Sequence, residues 1–452
     1  MINQLETPLY ERLAAKFEIA TLQSGSDHLR TMRQEAFDKF KSLGFPSIKN
    51  EEWKYTNMLP FLKDDYELET QVSDLSKEEA AKTAELIASH LESVQNAIKG
   101  EQKGAYRLVA VNGRINTELS VLPEAAEVTI MALSDAQDLP AFRQYFGKIA
   151  DTKTAAFAAL NTALHTDGIY LETAKGAIIE KPLHIIHVYL AEGALMVQPR
   201  QLIVVNEQSQ LHIIETVIHD QRNHPLLING VTEISVAKQA QCHHYDIQTG
   251  GPGMRMIQRT EATQQIHSNY SNYTFTLPGT DFVRNNLSLH LDAADLESHL
   301  YGLYLTSGKQ LVDNHTEVHH KHPHGESNQL YKGVLLDQSK AVFNGKIFVY
   351  QDAQKTNAFQ QSNNILFSDK ATVNAKPQLE IFADDVKCSH GTTVGQINKE
   401  ALFYLQSRGI GEQMAKNIMV NAFAYDVTQK VKIHPLRIYL EKLIAAEMEK
   451  VS

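Results

Sequence analysis

For nearly 200 residues, from about 200 to 395, the chain repeats one unit: a β-rich apolar run, a small polar turn, then another such run. Residues 200–205 and 210–215 flank one such turn, and 233–241, 289–294, 334–339 and 365–370 show the same pattern. The interval from Ser209 to Ala240 is 31 residues, as is that from Ser339 to Lys370, and the intervals between them read as longer. Almost nothing of helical period interrupts this stretch, and glycine is scarce within the runs. A β-solenoid explains the repeat, because each coil covers its neighbour. An ordinary β-sandwich yields a similar pattern, and periodicity alone leaves both open.

The flanks have a different period. Residues 1–105 read as helical, with apolar side chains at Leu9, Leu13 and Phe17, at Leu29, Met32, Ala36, Phe37 and Phe40, and at Ala80, Ala84, Ile87, Leu91 and Val94. Leu43-Gly44-Phe45-Pro46 is a helix stop followed by an extended stretch. Residues 106–395 form the β zone. From 396 to 452 helices return: Asn398 is an N-cap, Gly409 ends the first helix, a second follows Gly411, and Pro435 opens a third.

Composition excludes several function classes. The net charge of −10 lacks the basic footprint of a general nucleic-acid binder. No apolar run reaches the ~18–20 residues that span a bilayer. The first seven residues lack the basic start and apolar stretch of a signal peptide. Two cysteines, Cys242 and Cys388, are too few for a secreted disulfide framework and for a four-thiolate iron–sulfur site; a cytoplasmic location is expected. There is no Gly-x-x-x-x-Gly-Lys-Ser/Thr loop, no Gly-x-Ser-x-Gly elbow and no Cys-x-x-Cys pair.

Candidate chemistry rests on histidine, of which there are 20. The run 315–326 holds His315, His319, His320, His322, His324, Glu317 and Glu326. On a strand His315, Glu317 and His319 share a face and could bind a divalent metal; an exposed, solvated segment fits the run as well. Cys242-His243-His244 reads as a metal-competent pair or a core cysteine flanked by satisfied histidines. Cys388 and His390, at i and i+2, present a thiol and an imidazole on one strand face, a soft ligand set to be completed from elsewhere. A cysteine–histidine hydrolase is the rival chemistry, but adjacent strand positions do not supply nucleophile–base geometry.

These residues also carry a family resemblance. Residues 378–395, centred on Lys387-Cys388-Ser389-His390-Gly391, resemble the SufB/SufD family, as do 331–335, 343–347, 353–361, 401–405 and 407–410. Asn50-Glu51-Glu52-Trp53-Lys54-Tyr55-Thr56 is similar to that family's Glu-x-Trp-Lys/Arg-Tyr-Thr element. The likeness spans most of the chain and is densest from 310 to 430. Cys388 favours the SufD branch, because the SufB branch normally has alanine there and its essential cysteine elsewhere. The histidine-dense run is richer than the family pattern.

The resemblance implies a right-handed parallel β-helix flanked by N- and C-terminal helical domains. It implies a non-enzymatic scaffold for iron–sulfur cluster assembly, paired with a SufB-like subunit and docking a SufC-like ABC ATPase on the C-terminal helices, where Met414, Ile418, Met419 and Phe423 lie. His390 is then the residue of the cluster-assembly interface, with Cys388 as a secondary ligand. The cluster is transient at the subunit interface and no cofactor is tightly bound in isolation; a flavin in the complex is left open. The same interface is compatible with a homodimer of the isolated chain. Two other readings are a cytoplasmic β-helix enzyme acting on polysaccharide, opposed by the single tryptophan, and a histidine-rich metal-binding protein, which would hold several ions by itself.

Overall fold

The computed structural model describes residues 7–22, 27–68, 76–97, 104–190, 193–219 and 224–450; apart from Thr7, the stretch read as lacking a signal peptide lies outside them. The middle of the chain is a parallel β-solenoid of about eight turns with helices before and after it. Each full coil gives one strand to an eleven-stranded sheet and the next to a ten-stranded sheet. Ascending one column, Leu211, Cys242, Tyr270, Ser298, Ser327, Ala358 and Cys388 lie in register in steps of 28–31 residues. Inward side chains form one continuous core, including Ile203, Ile234, Leu289, Val318 and Phe343.

The corners explain the repeat. Between the eleven-stranded and ten-stranded sheets the chain turns through a left-handed residue in successive coils: Gln208, Gln239, His267, Asp295, His324 and Lys355 all have φ between 56° and 64°. The next residue or two along is buried and small at most of these corners, as with Ser209, Ala240, Ser268 and Thr356. Ser209 Oγ donates to the carbonyl of Asn206 and Thr356 Oγ1 to that of Ala353, which closes the bend. Ser339 and Lys370 lie at the opposite corner. The longer intervals read from the sequence therefore mix two corners, and the true steps are nearly uniform.

The solenoid's two ends differ. At the first, Arg114–Val121 runs antiparallel to Tyr106–Val111, and Val128–Ala132 antiparallel to Ile169–Thr173. At the last, Thr372–Ile381 and Lys387–Gln396 each pair with one strand only, among the described residues.

Helices cover the outer faces. Pro8–Leu22 and Asp27–Leu43 pack Leu9, Leu13, Phe37 and Phe40 with Leu227, Ile257 and Phe282 on the outside of the eleven-stranded sheet. The helix Ala156–Leu164, inside the zone read as strands, lies between them; eight of its nine residues are buried, so it carries no polar face for periodicity to detect. Pro140–Tyr145 is a second helix in that zone. Glu412–Thr428 and His434–Glu449 cover the ten-stranded sheet through Val420, Ala424, Val427, Leu436 and Leu440. Asn398 caps Lys399–Ser407 by accepting from the amides of Glu400 and Ala401, and Gly409 (φ 84°) ends it.

Two buried ion pairs fasten the covering segments. Glu233 accepts from the amides of Gly147, Ile149 and Ala150 at 2.9 Å each and from Arg200 Nη2 at 2.5 Å. Both charged side chains are fully buried. The Asn50–Thr56 element forms the other clasp: Trp53 lies 3.8 Å from the Arg284 guanidinium, and Arg284 donates to Asp313 at 2.6 Å and to the Glu52 carbonyl at 2.9 Å. Thr56 Oγ1 donates to Asp313 at 2.5 Å. Removing one member of a buried pair strands the other. Glu233→Ala should therefore cost about 3–5 kcal/mol and open the 147–155 segment to protease, as measured by chemical denaturation and limited proteolysis. Parent-like stability would show that the clasp is dispensable.

Candidate functional site

The open end of the solenoid carries Cys388 and His390 on its last strand, Lys387–Gln396. Being two residues apart they share the inward face, about 7 Å apart along the strand. Cys388 is half-buried, in register with Ala358 and packed beside Ile347, Val349 and Ala383. Burial raises its thiol pKa, so at neutral pH it is a thiol that a metal must deprotonate before it can bind. His390 is exposed and has no hydrogen-bond partner among the described residues. It stands over an inward polar column: Gln360 is its register partner, Gln360 Nε2 donates to Gln329 Oε1 at 3.2 Å, and Thr316 Oγ1 donates to the same oxygen at 2.7 Å. Gln360 Oε1 is buried without a partner. An open groove beside His390 is lined by His299, Tyr301, Phe359 and Lys430. Among the described residues no group of three His, Cys, Asp or Glu side chains forms around this imidazole.

Around this end the surface is apolar where a lone subunit gains nothing by it. Phe359, Ile381, Phe382 and Val394 are exposed, Phe382 by 59%. Among the described residues these side chains lie beside two strand edges with no further strand on them, the kind of surface that exposes backbone donors and apolar area together.

The histidine-dense run lies elsewhere, on the outer face of the eleven-stranded sheet. His315, Glu317 and His319 do share that face, but each ring is committed to other groups. His315 Nε2 faces Asp313 at 2.9 Å and Nδ1 faces Glu52 at 3.2 Å. The hydrogen bond from His315, with that from Lys346, draws the Glu52 carboxyl down to about 2. His319 is stacked between His290 and Phe348, 5.0 and 4.7 Å away, and meets the Tyr350 hydroxyl at 3.2 Å. His320 points inward to Ser327, and burial lowers its pKa to about 4. Among the described residues no three His, Cys, Asp or Glu side chains are grouped to hold a metal ion. Cys242 is a core residue, its pKa raised to about 12 by burial, and His244 Nε2 donates to Glu215 Oε1 at 2.7 Å.

The C-terminal helices split the four docking candidates. Met414 and Ile418 are exposed by 59% and 41%. Met419 is half-buried, and Phe423 leans on the solenoid beneath the Lys332 ammonium, 4.2 Å from its ring. Ala415, Val420 and Ala424 form the buried stripe of that helix. Other large apolar side chains of these helices are exposed too: Tyr425, and Phe403 and Tyr404 on Lys399–Ser407, a helix with no buried residue. The signal was the unbroken apolar run 401–405, too apolar on all sides for a helix with one buried stripe.

The sequence matches the family model for the SufBD protein N-terminal region over residues 7–185 and that for the SufBD core domain, SUF system FeS cluster assembly, over 188–423. An iron–sulfur cluster assembly SufBD family protein of Synechocystis is 30% identical, covering 97% of this chain and 96% of its own. Iron–sulfur cluster assembly protein SufD of Escherichia coli is 28% identical over 89% of each chain. The SufD of Plasmodium falciparum is 28% identical over 56% of this chain and 17% of that longer one. With the two family models spanning the helical cover, the solenoid and most of the helix bearing Met414 and Ile418, the chain belongs to the SufB/SufD family of the SUF system for iron–sulfur cluster assembly.

Proposed function

We propose that this chain is a SufD-type scaffold rather than a catalyst, which pairs through the open end of its solenoid with a SufB-like subunit and completes a cluster-assembly site at His390. The observation that carries this reading is the last coil: its strand edges are unpaired among the described residues, its rim is apolar, and its exposed imidazole lacks a partner. A homologous coil presented edge-on would satisfy the amides and supply the missing ligands. The iron–sulfur cluster is cargo held transiently at that junction, with Cys388 in a secondary role because its thiol is half-buried and protonated. The chain would act in the cytoplasm; no helix among the described residues is long and apolar enough to cross a membrane. A second copy would find the same edges, so homodimerisation competes with pairing.

A SufC-like ABC ATPase docks, on this reading, on the face formed by Phe403, Tyr404, Met414, Ile418 and Tyr425. The helix beneath is bound to the solenoid by Val420, Ala424 and the Lys332–Asp426 ion pair, so movement of the dock is felt by the coils. ATP hydrolysis by the partner would shift this bundle and bias how the SufB–SufD junction opens.

Two substitutions test the halves of this reading separately. In a strain lacking the native subunit, His390→Ala should fold and melt as the parent does but leave cluster assembly at the level of the deletion, whereas Cys388→Ala should be milder. Full complementation by His390→Ala would remove its ligand role. For the dock, the double variant Met414→Asp, Ile418→Asp should weaken pull-down of a SufC-like ATPase by at least about tenfold, the loss typical of central apolar anchors, with an unchanged melt. Parent-like capture would place the dock elsewhere.

A further inference from the structure

Inside the solenoid, one register position of the ten-stranded sheet stacks Leu300, Gln329, Gln360 and His390 in successive coils. Neighbouring strands lie roughly 4.8 Å apart, so each of these inward side chains stands on the one before it. Gln329 Oε1 accepts from Thr316 Oγ1 at 2.7 Å and from Gln360 Nε2 at 3.2 Å. The Gln360 amide is thereby held with its NH2 group toward the coil of Gln329. Turning it over would set its oxygen against the Gln329 oxygen. Because the amide is planar, Oε1 is directed the other way, toward the coil that carries His390. That oxygen is buried and has no hydrogen-bond partner among the described residues. The opposite sheet makes room for this arrangement: the amide lies against Gly345, where a Cβ would overlap it.

A buried acceptor left without a donor is costly, and the register neighbour able to supply one is the His390 imidazole. His390 is exposed and uncommitted among the described residues, so its ring rotates onto Gln360 without giving up a contact. We propose that Gln360 is the positioning residue of His390: a ring N–H of His390 donates to Gln360 Oε1, which fixes one tautomer and one ring plane. The lone pair of the other nitrogen is then turned outward, where an iron ion at the junction would meet it. A free imidazole divides its proton between two nitrogens and rotates; holding one N–H removes both freedoms before the metal arrives. The inference rests on the role proposed above for His390 and adds the group that orients it.

Nitrogen-15 histidine spectra of the isolated full chain, recorded about two units above the ordinary imidazole pKa, report which ring nitrogen carries the proton. In the parent, His390 should show one nitrogen fully protonated and the other bare, whereas Gln360→Met should give the averaged signals of a free imidazole. Gly345→Ala, which crowds the amide from the opposite sheet, should give the same averaging. Gln361→Met, on the exposed outward face beside Gln360, should leave the parent spectrum. In a strain lacking the native subunit, Gln360→Met should assemble clusters several-fold less well than the parent, while melting as the parent does and capturing a SufB-like subunit equally. An averaged His390 ring in the parent overturns the proposal without any variant. So does a ring unchanged by Gln360→Met, or parent-level assembly by that variant. Because the ring is read in the isolated chain, this result does not depend on whether His390→Ala complements, and the two readings fail separately.

Discussion

In a parallel solenoid each strand satisfies only half of its outward-directed backbone groups with the coil before it; the rest depend on the coil that follows. The stack is therefore stable in its middle and exposed at its ends, and every end needs a device. Here the first end turns back on itself through antiparallel strands, with Arg114–Val121 and Val128–Ala132 shielding the coils behind them. The last end has no such device among the described residues. Thr372–Ile381 and Lys387–Gln396 remain open, with Phe382 and Val394 exposed beside them. That asymmetry separates a closed end from an open one, and His390 lies at the open end.

The outer faces of the two sheets are used for different purposes. On the eleven-stranded sheet, buried charges fix the N-terminal cover: Arg200 with Glu233, and Arg284 with Asp313, Trp53 and Thr56. Such pairs contribute less through their attraction than through the penalty for separating them, so they specify one seating of the cover. On the ten-stranded sheet the cover is mainly apolar, with Tyr245 stacked on Tyr273 and Tyr301 beside them under Val420, Ala424 and Leu440, and among the described residues a single ion pair, Lys332–Asp426, joins helix to solenoid there.

Much of this was legible in the sequence because it is local. The strand–turn–strand repeat, the Asn398 cap, the Gly409 stop and the first-turn Pro435 each depend on a few adjacent residues, and the structure has them where the sequence indicated. What was not legible depends on distance or on missing contrast. The helix Ala156–Leu164 is buried all round, so it has no amphipathic period. His315 read as a ligand candidate because nothing nearby in sequence reveals Glu52, 263 residues earlier, which occupies one of its ring nitrogens. The docking helix was identified as amphipathic, but which apolar stripe faces inward is set by the solenoid beneath it. Phe423 therefore turned toward Lys332, while Met414 and Ile418 turned outward.

On the proposed function the last coil is an interface that a second solenoid covers. Hydrogen exchange at single-amide resolution tests it most directly, comparing the dilute isolated chain with its complex with a SufB-like subunit. The account predicts that those amides of Lys387–Gln396 directed away from the preceding coil exchange rapidly alone and become strongly protected in the complex, while Arg114–Val121 at the opposite end is unchanged. If the complex forms and the amides of the last strand exchange as fast as before, the open end is not where the subunits meet.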